Sequence, residues 1–114
     1  MTKPTKYVAL NDALSDYVLR SRSRADDPLL NALRAETEAL GDIARMLISH
    51  EQGDFLTILT KLLNVRCADE VGTFTGYSAI CIARGLAMDG RFTCFDISAA
   101  WAAIAKRYGE TDGL

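Results

Sequence analysis

The sequence predicts an α/β protein in which N-terminal helices are followed by a β-α-β-α unit with a parallel sheet. Apolar residues recur at helical spacing through the first half, and two short apolar runs in the second half have strand character. A glycine-punctuated loop follows the first of these runs. A strand-helix-strand succession indicates a right-handed crossover between parallel strands. We expect a helical region over residues 1–64 and the β-α-β-α unit over 65–114.

The first two helices are predicted from apolar spacing and one capping signal. The first has its apolar stripe at Tyr7, Leu10, Leu14, Tyr17 and Val18. Asp27 before Pro28 places an N-cap residue ahead of a proline at the first helical position, so a second helix should begin there. We expect Gly41 to end or bend that helix.

A third helix is predicted by the S-x-x-Q capping box of Ser49 and Gln52, in which each side chain satisfies a free backbone N–H group. This helix should begin at about Glu51. Its apolar face is predicted to pack against the sheet. That face consists of Phe55, Leu56, Leu59, Leu62 and Leu63.

The second half alternates strands and helices. The runs 65–71 and 91–95 predict the two strands, the first of them over about 67–71, and residues 77–86 predict the helix between them. Ser98 is an N-cap residue for a last helix, which we expect Gly109 to end.

Composition excludes several classes of function. The 114 residues are 49% hydrophobic and 25% charged, which is typical of a globular domain. With 13 basic against 15 acidic residues and no basic stripe, we expect no nucleic-acid partner. No apolar run approaches the roughly 18 residues of a membrane span, so we expect a cytoplasmic protein without a membrane partner.

The metal-binding residue types are few. Cys67, Cys81 and Cys94 lie in apolar runs without C-x-x-C spacing, so we expect three buried, reduced thiols. His50 is the only histidine, which excludes a histidine cluster within this chain.

The strand ends carry the residues that indicate chemistry. Glu70 lies at the end of the first predicted strand, and Gly72 and Gly76 punctuate the following turn. Asp96 follows the second strand. Because the carboxyl ends of parallel strands converge on the crevice where nucleosides bind, Asp96 is placed to accept hydrogen bonds from both ribose hydroxyls.

The same loop lacks the G-x-G-x-x-G of a dinucleotide site and the G-K-[ST] of a P-loop. Glu70 suits a cationic ligand without phosphates, such as S-adenosylmethionine. From spacing alone three interpretations stay open. The site could bind a methyl donor or a nicotinamide cofactor, or Gly72 and Gly76 could merely turn the chain while Asp96 caps a strand end.

Three segments resemble the cation-dependent O-methyltransferase family that includes caffeoyl-CoA and catechol O-methyltransferases. They are residues 46–53, 70–78 and 89–96, and the similarity runs from about Tyr7 to the last residue. The resemblance implies a Rossmann-like S-adenosylmethionine-dependent methyltransferase fold. It also implies a truncated one, with the first half of the donor-binding domain present and its C-terminal half absent.

The resemblance further implies which residues contact the methyl donor. They are Met46, Ile48, Glu70, Gly72, Thr73, Ser78 and Asp96. The first two would line the pocket, Ser78 would bond the methionine end and Asp96 the ribose hydroxyls. The other three would contact the methionine and ribose parts. Without the resemblance, Met46 would be interpreted as an ordinary core residue.

The family's activity is methyl transfer to a hydroxyl of a small, aromatic acceptor. Its divalent cation, Mg²⁺, is held by Asp and Asp-Asn groups that the family carries beyond the part matched here, together with a lysine and most of the acceptor pocket. The resemblance therefore implies no catalytic and no metal-binding residue in this chain. The alternative is a non-catalytic module that binds the methyl donor or a partner chain.

Asp69 departs from the family, which places an aliphatic residue at this position. A carboxylate in a strand buried on both faces costs several kcal/mol unless it is paired or protonated. The first strand is also expected to have an unpaired outer edge. We therefore expect a homo-oligomer, since exposed edges and apolar faces favour association.

Overall fold

The computed structural model describes residues 3–4 and 6–114. Its elements follow the predicted order of helices and then a β-α-β-α unit. They are α1 (Asp12–Ser21), α2 (Pro28–Glu38), a 3₁₀ helix (Asp42–Met46), α3 (His50–Leu62), β1 (Cys67–Val71), α4 (Tyr77–Ala83), β2 (Arg91–Phe95) and α5 (Ala99–Thr111).

The sheet consists of β1 and β2, which pair in parallel from Cys67 opposite Arg91 to Val71 opposite Phe95. This confirms the predicted parallel strands. The pairing is extended at its amino-terminal end, where the N–H of Arg91 donates to the carbonyl of Arg66 at 2.7 Å. Since β2 is the one neighbour of β1 among the described residues, β1 has a free outer edge.

The core lies between the helices. Leu30 and Leu33 of α2 pack with Tyr77, Ile80 and Cys81 of α4, all of them buried. These five side chains exclude water from the interface between the N-terminal helices and the crossover helix. The helical region and the first half of the β-α-β-α unit therefore share one core.

The prediction of which side of α3 is buried is wrong. Phe55 and Leu62 are 59% and 77% exposed, whereas the buried residues of the helix are Gly53 and Thr60. The reason is close packing on α4, where the Thr57 hydroxyl donates to the carbonyl of Cys81 at 2.7 Å. Small side chains permit this approach and turn the larger apolar side chains outward.

The predicted N-caps are confirmed. The Asp27 carboxylate accepts from the N–H of Leu30 at 3.0 Å. Ser49 and Ser98 cap α3 and α5 by accepting from the N–H group of the third residue of each helix, at 3.4 and 3.3 Å. The hydrogen bonds of the described residues include the serine half of the capping box but not the glutamine half.

Three helix boundaries differ from prediction: the start of α1 and the ends of α4 and α5. Helix α1 begins at Asp12 rather than near Tyr7, because the Asn11 side chain caps it by accepting from the N–H of Leu14 at 2.9 Å. Helix α4 ends at Ala83 rather than Leu86, where Gly85 lies close to Thr60 of α3.

At the other end of the unit, Gly109 lies inside α5, which continues to Thr111. The Arg84 guanidinium donates two hydrogen bonds to the Asp112 carboxylate, at 2.7 and 2.8 Å, and so holds the last turn in place. Gly41, with φ of +89°, lies beyond the end of α2 and precedes the 3₁₀ helix.

The expectation of three buried thiols is wrong for two of them. Cys81 is buried, and burial raises the pKa of its thiol to about 11. Cys67 and Cys94 are exposed because they lie on a two-stranded sheet whose faces are incompletely covered. Asp69 is exposed for the same reason, so its carboxylate escapes the burial cost expected from the sequence.

Within the part of the chain that the structure describes, none of the helices is long and apolar enough to cross a membrane.

The close approach of α3 and α4 predicts opposite effects for two Gly→Ala substitutions. A Cβ at Gly53 would lie 2.8 Å from the Cys81 sulfur and 2.9 Å from the Tyr77 ring. We expect Gly53→Ala to lower the free energy of unfolding by about 1 to 3 kcal/mol. Gly109→Ala is the matched control, since a Cβ there meets nothing within 4 Å. It should raise that free energy by about 0.5 to 1 kcal/mol in urea denaturation.

Candidate functional site

The loop after β1 folds over the carboxyl end of β2. The N–H groups of Gly72 and Thr73 both donate to the carbonyl of Phe95, at 2.8 and 3.2 Å. The N–H of Gly76 donates to the carbonyl of Thr73 at 3.1 Å, which closes a turn before α4 begins. The two strand ends and the first turn of α4 therefore border one crevice.

The two glycines of this loop have different roles. Gly72 has φ of +88°, and a Cβ there would meet nothing within 4 Å, so the space above it is open. Gly76 has φ of +95°, and a Cβ there would lie 2.7 Å from the Cβ of Ala105. Gly76 thus permits α5 to pack on the loop, whereas Gly72 permits a ligand to approach the backbone.

Phe74, between them, has φ of +53°, a backbone conformation that costs about 1 to 2 kcal/mol for a residue with a side chain. Its ring is buried edge-to-face on Trp101, with ring centroids 4.9 Å apart. Thr75, also buried, shares a 2.8 Å hydrogen bond with the hydroxyl of Thr37 on α2. These contacts hold the loop in a single conformation.

Asp96 follows β2, and its carboxylate is fixed by two backbone groups. Oδ1 accepts from the N–H of Ser98 at 2.8 Å, and Oδ2 accepts from the N–H of Phe74 at 2.7 Å. These bonds, first from Ser98 and then from Phe74, hold the pKa of Asp96 below its ordinary value. The carboxylate is therefore ionised at neutral pH, and each oxygen keeps a lone pair for a further donor.

Glu70 is the penultimate residue of β1, and its surroundings differ from those of Asp96. Its Oε2 accepts from the Ser78 hydroxyl at 2.6 Å, while Oε1 is buried and has no hydrogen-bond partner. Burial raises the pKa of this carboxyl above its ordinary value. A desolvated carboxylate with one unpaired oxygen can hold a cationic donor.

A cavity of about 810 Å³ adjoins this crevice. It lies between α4, β2 and α5, with Thr73 and Asp96 at its border and Ala79, Phe92 and Ala105 along its walls. Its volume is in the range of small-molecule binding sites.

The chain matches the O-methyltransferase family over residues 20–114. It belongs to that family. A caffeoyl-CoA O-methyltransferase of Populus kitakamiensis is 35% identical over 95 residues, which are 82% of this chain and 40% of the relative. A catechol O-methyltransferase of Mycobacterium tuberculosis is 34% identical over 91 residues, which are 80% of this chain and 41% of the relative.

Solved structures of the family share the fold. An O-methyltransferase of Bacillus cereus, in complex with SAH, superposes with a TM-score of 0.80 and 31% identity, over 90% of this chain and 46% of that one. The predicted Rossmann-like methyltransferase fold is thereby confirmed. The chain spans less than half the length of each of these relatives.

The residues that the family resemblance implied fall into two groups. Glu70, Gly72, Thr73, Ser78 and Asp96 lie together at the strand ends. The other two precede α3. Met46 is half exposed and so is not an ordinary core residue. Ile48 packs against the core that contains Tyr77, and its carbonyl accepts from the Arg34 guanidinium at 2.5 Å.

Sequence reasoning missed two groups at or beside this candidate site. The Phe74 N–H supports Asp96 only because a non-glycine residue adopts a left-handed conformation, which no sequence signal indicates. From the sequence His50 has no assigned role, yet its ring Nδ1 lies 2.8 Å from the Tyr77 hydroxyl at the start of α4. No spacing rule joins residues on two different helices.

The raised pKa of Glu70 predicts that this carboxylate destabilises the free chain. We expect Glu70→Gln to raise the unfolding temperature at pH 7.5, because the amide needs no charge solvation and its oxygen can still accept from Ser78. The difference should shrink as pH falls through the raised pKa towards 4.5, since the protonated glutamate carries no such penalty.

Thermal unfolding across this pH range checks the expectation. Glu110→Gln, at an exposed position of α5, is the control and should leave the unfolding temperature nearly unchanged. A Glu70→Gln variant less stable than the unsubstituted chain at pH 7.5 would contradict the assignment.

Proposed function

We propose that this chain binds S-adenosylmethionine at the carboxyl ends of β1 and β2, as the donor-binding part of an O-methyltransferase. The observation that carries the proposal is the buried, unpartnered Oε1 of Glu70 beside Ser78. The SAH in the Bacillus cereus relative supports it, because SAH is what S-adenosylmethionine becomes after losing its methyl group.

Glu70 fits the ammonium group of the methionine end. A buried carboxylate is stabilised when a cation supplies both charge and N–H donors. Ser78 already donates to Oε2, so Oε1 is the oxygen left to accept from a ligand ammonium group. Binding should return the pKa of Glu70 towards or below its ordinary value, since a neighbouring cation favours the ionised form.

Asp96 and Gly72 fit the ribose. The ionised Asp96 carboxylate is held in place by Phe74 and Ser98, so accepting two ribose hydroxyls costs little reordering. Gly72 leaves the space above the loop open for this approach. Carboxylates at the carboxyl ends of both strands would repel a pyrophosphate, which argues against the nicotinamide interpretation.

The methyl group to be transferred would be supplied by the sulfonium of the bound donor. From the names of the relatives we propose a small, aromatic hydroxyl acceptor. The residues present do not fit the divalent cation of the family, because residues 3–4 and 6–114 contain no group of three or more His, Cys, Asp or Glu side chains that could hold a metal ion. This favours a donor-binding module without turnover as the second candidate.

Calorimetric titration separates these possibilities. We expect S-adenosylmethionine to bind and NAD not to bind. Glu70→Gln should weaken the binding of S-adenosylmethionine by about 1.5 to 3 kcal/mol, or about 10- to 150-fold in Kd, because a charged hydrogen bond is lost. Asp69→Asn is the matched control, since this neighbouring carboxylate lies exposed and should leave Kd unchanged.

Equal affinity for NAD, or a Glu70→Gln variant with unchanged Kd, would refute the donor site. A radiolabelled methyl-transfer assay on a catechol with Mg²⁺ then tests whether the chain by itself turns over the donor. We expect the 114-residue chain alone to bind the donor without turnover.

We further propose that the chain associates with a second copy of itself through α3. Three large apolar side chains of this helix and that of the next residue are at least half exposed: Phe55, Ile58, Leu62 and Leu63. Large apolar side chains exposed side by side commonly mark a protein–protein interface. The free edge of β1 lies directly after this helix in the chain.

Sedimentation velocity tests the association. We expect a dimer or larger species, and Leu62→Glu should shift the population towards monomer because it places a charge in the apolar interface. Met88→Glu is the control, since Met88 is fully exposed in the turn after α4 and lies outside the patch. A well-behaved monomer at high concentration would overturn the proposal.

A further inference from the structure

Three side chains join the two segments that flank the proposed methionine subsite. His50, the first residue of α3, lies with Nδ1 2.8 Å from the Tyr77 hydroxyl, the first residue of α4. The Arg34 guanidinium lies over the Tyr77 ring at 4.8 Å and also donates to the carbonyl of Ile48. Ile48 precedes His50 by two residues, and Ser78 directly follows Tyr77.

We propose that His50 is a positioning residue for the methyl donor, which in its neutral form holds residues 46–48 against the start of α4 through Tyr77. This inference rests on the proposed function, because the segments that it aligns are the ones assigned to the donor. Nothing in the role requires His50 to touch the ligand.

The Tyr77 hydroxyl hydrogen has an acceptor in His50 only while the imidazole is neutral. Tyr77 is 2% exposed, so its hydroxyl needs an acceptor within the protein. Imidazole with its proton on Nε2 offers Nδ1 as that acceptor. Protonation would place a hydrogen on Nδ1, and the hydroxyl hydrogen of Tyr77 would then lose its partner. A buried donor without a partner costs about 1 to 3 kcal/mol.

The surrounding charges oppose protonation as well. Arg34 faces His50 from α2 and Arg22 from the end of α1, while Glu51 and Asp54 lie on α3 itself. Arg22 is paired with Asp54 at 3.1 Å, which reduces the effect of both. From α4, Tyr77 and then Cys81 complete the surroundings, and neither carries a charge at neutral pH.

Burial, followed by Arg34 and Arg22, lowers the pKa of His50 below 6.5. The sign of the pH dependence follows. Above pH 6.5 the imidazole is neutral in the folded and unfolded chain alike. As pH falls below 6.5 the unfolded chain takes up the proton first, so the folded state loses stability.

The test compares S-adenosylmethionine titrations at pH 7.5 with titrations at successively lower pH, down to the pH at which the imidazole of the folded chain is protonated. For the unsubstituted chain we expect Kd to rise about 5- to 10-fold over this range. His50→Asn should bind within about twofold of the unsubstituted chain at pH 7.5, because the amide oxygen replaces Nδ1 as acceptor and cannot be protonated. Its Kd should show less of the rise at low pH. His50→Ala and Tyr77→Phe should bind about 5- to 10-fold more weakly already at pH 7.5.

Two controls separate this inference from the donor site. Glu70→Gln should retain the dependence that comes from His50, whereas any fall in affinity left in His50→Asn comes from Glu70. Thermal unfolding without ligand should show stability lost below pH 6.5 in the unsubstituted chain but not in His50→Asn. That measurement decides the role of His50 in the fold even if S-adenosylmethionine does not bind. A His50→Asn variant with the unsubstituted pH profiles would overturn the proposal.

Discussion

The paired hydrogen bonds of the Asp96 carboxylate are the constraint on which the rest of the site depends. One oxygen holds the N–H of Phe74 in the loop after β1, and the other holds the N–H of Ser98 at the start of α5. This side chain thereby joins the two βα junctions, which the N–H groups of Gly72 and Thr73 also link through the carbonyl of Phe95. Without it, the strained backbone of Phe74 would lose its support, and the open space above Gly72 would lose its shape.

The two carboxylates at the strand ends differ because their surroundings differ. Backbone N–H groups favour the charged form of Asp96, while burial disfavours the charged form of Glu70. The first is ionised with a lone pair free on each oxygen, and the second is favoured in its charged form only when a cation or further donors lie beside it. The ligand proposed above, with a diol and an ammonium group, would suit this division, which follows from position on the sheet rather than from residue type.

The parts of this arrangement that follow local rules could be predicted from sequence. The spacing of Gly72 and Asp96 predicts that both lie at the carboxyl ends of the strands. Ser49 and Ser98 predict the starts of α3 and α5 to within one residue. The orientation of α3 could not be predicted, because Gly53 and Thr60 are buried by a close approach to α4 that depends on tertiary packing. Hydrophobic periodicity alone assigned the opposite face.

The Arg84 guanidinium bridges parts of the chain that are far apart in sequence. It donates to Asp27 at the start of α2 and to Asp112 beyond the end of α5. Such a bridge can close only after three helices have docked, so it belongs to the late stages of folding. Its energy would then be absent from the folding transition state and would act mainly on the rate of unfolding. One ion triad, which joins the start of α2 to the ends of α4 and α5, would thus slow the opening of the native state.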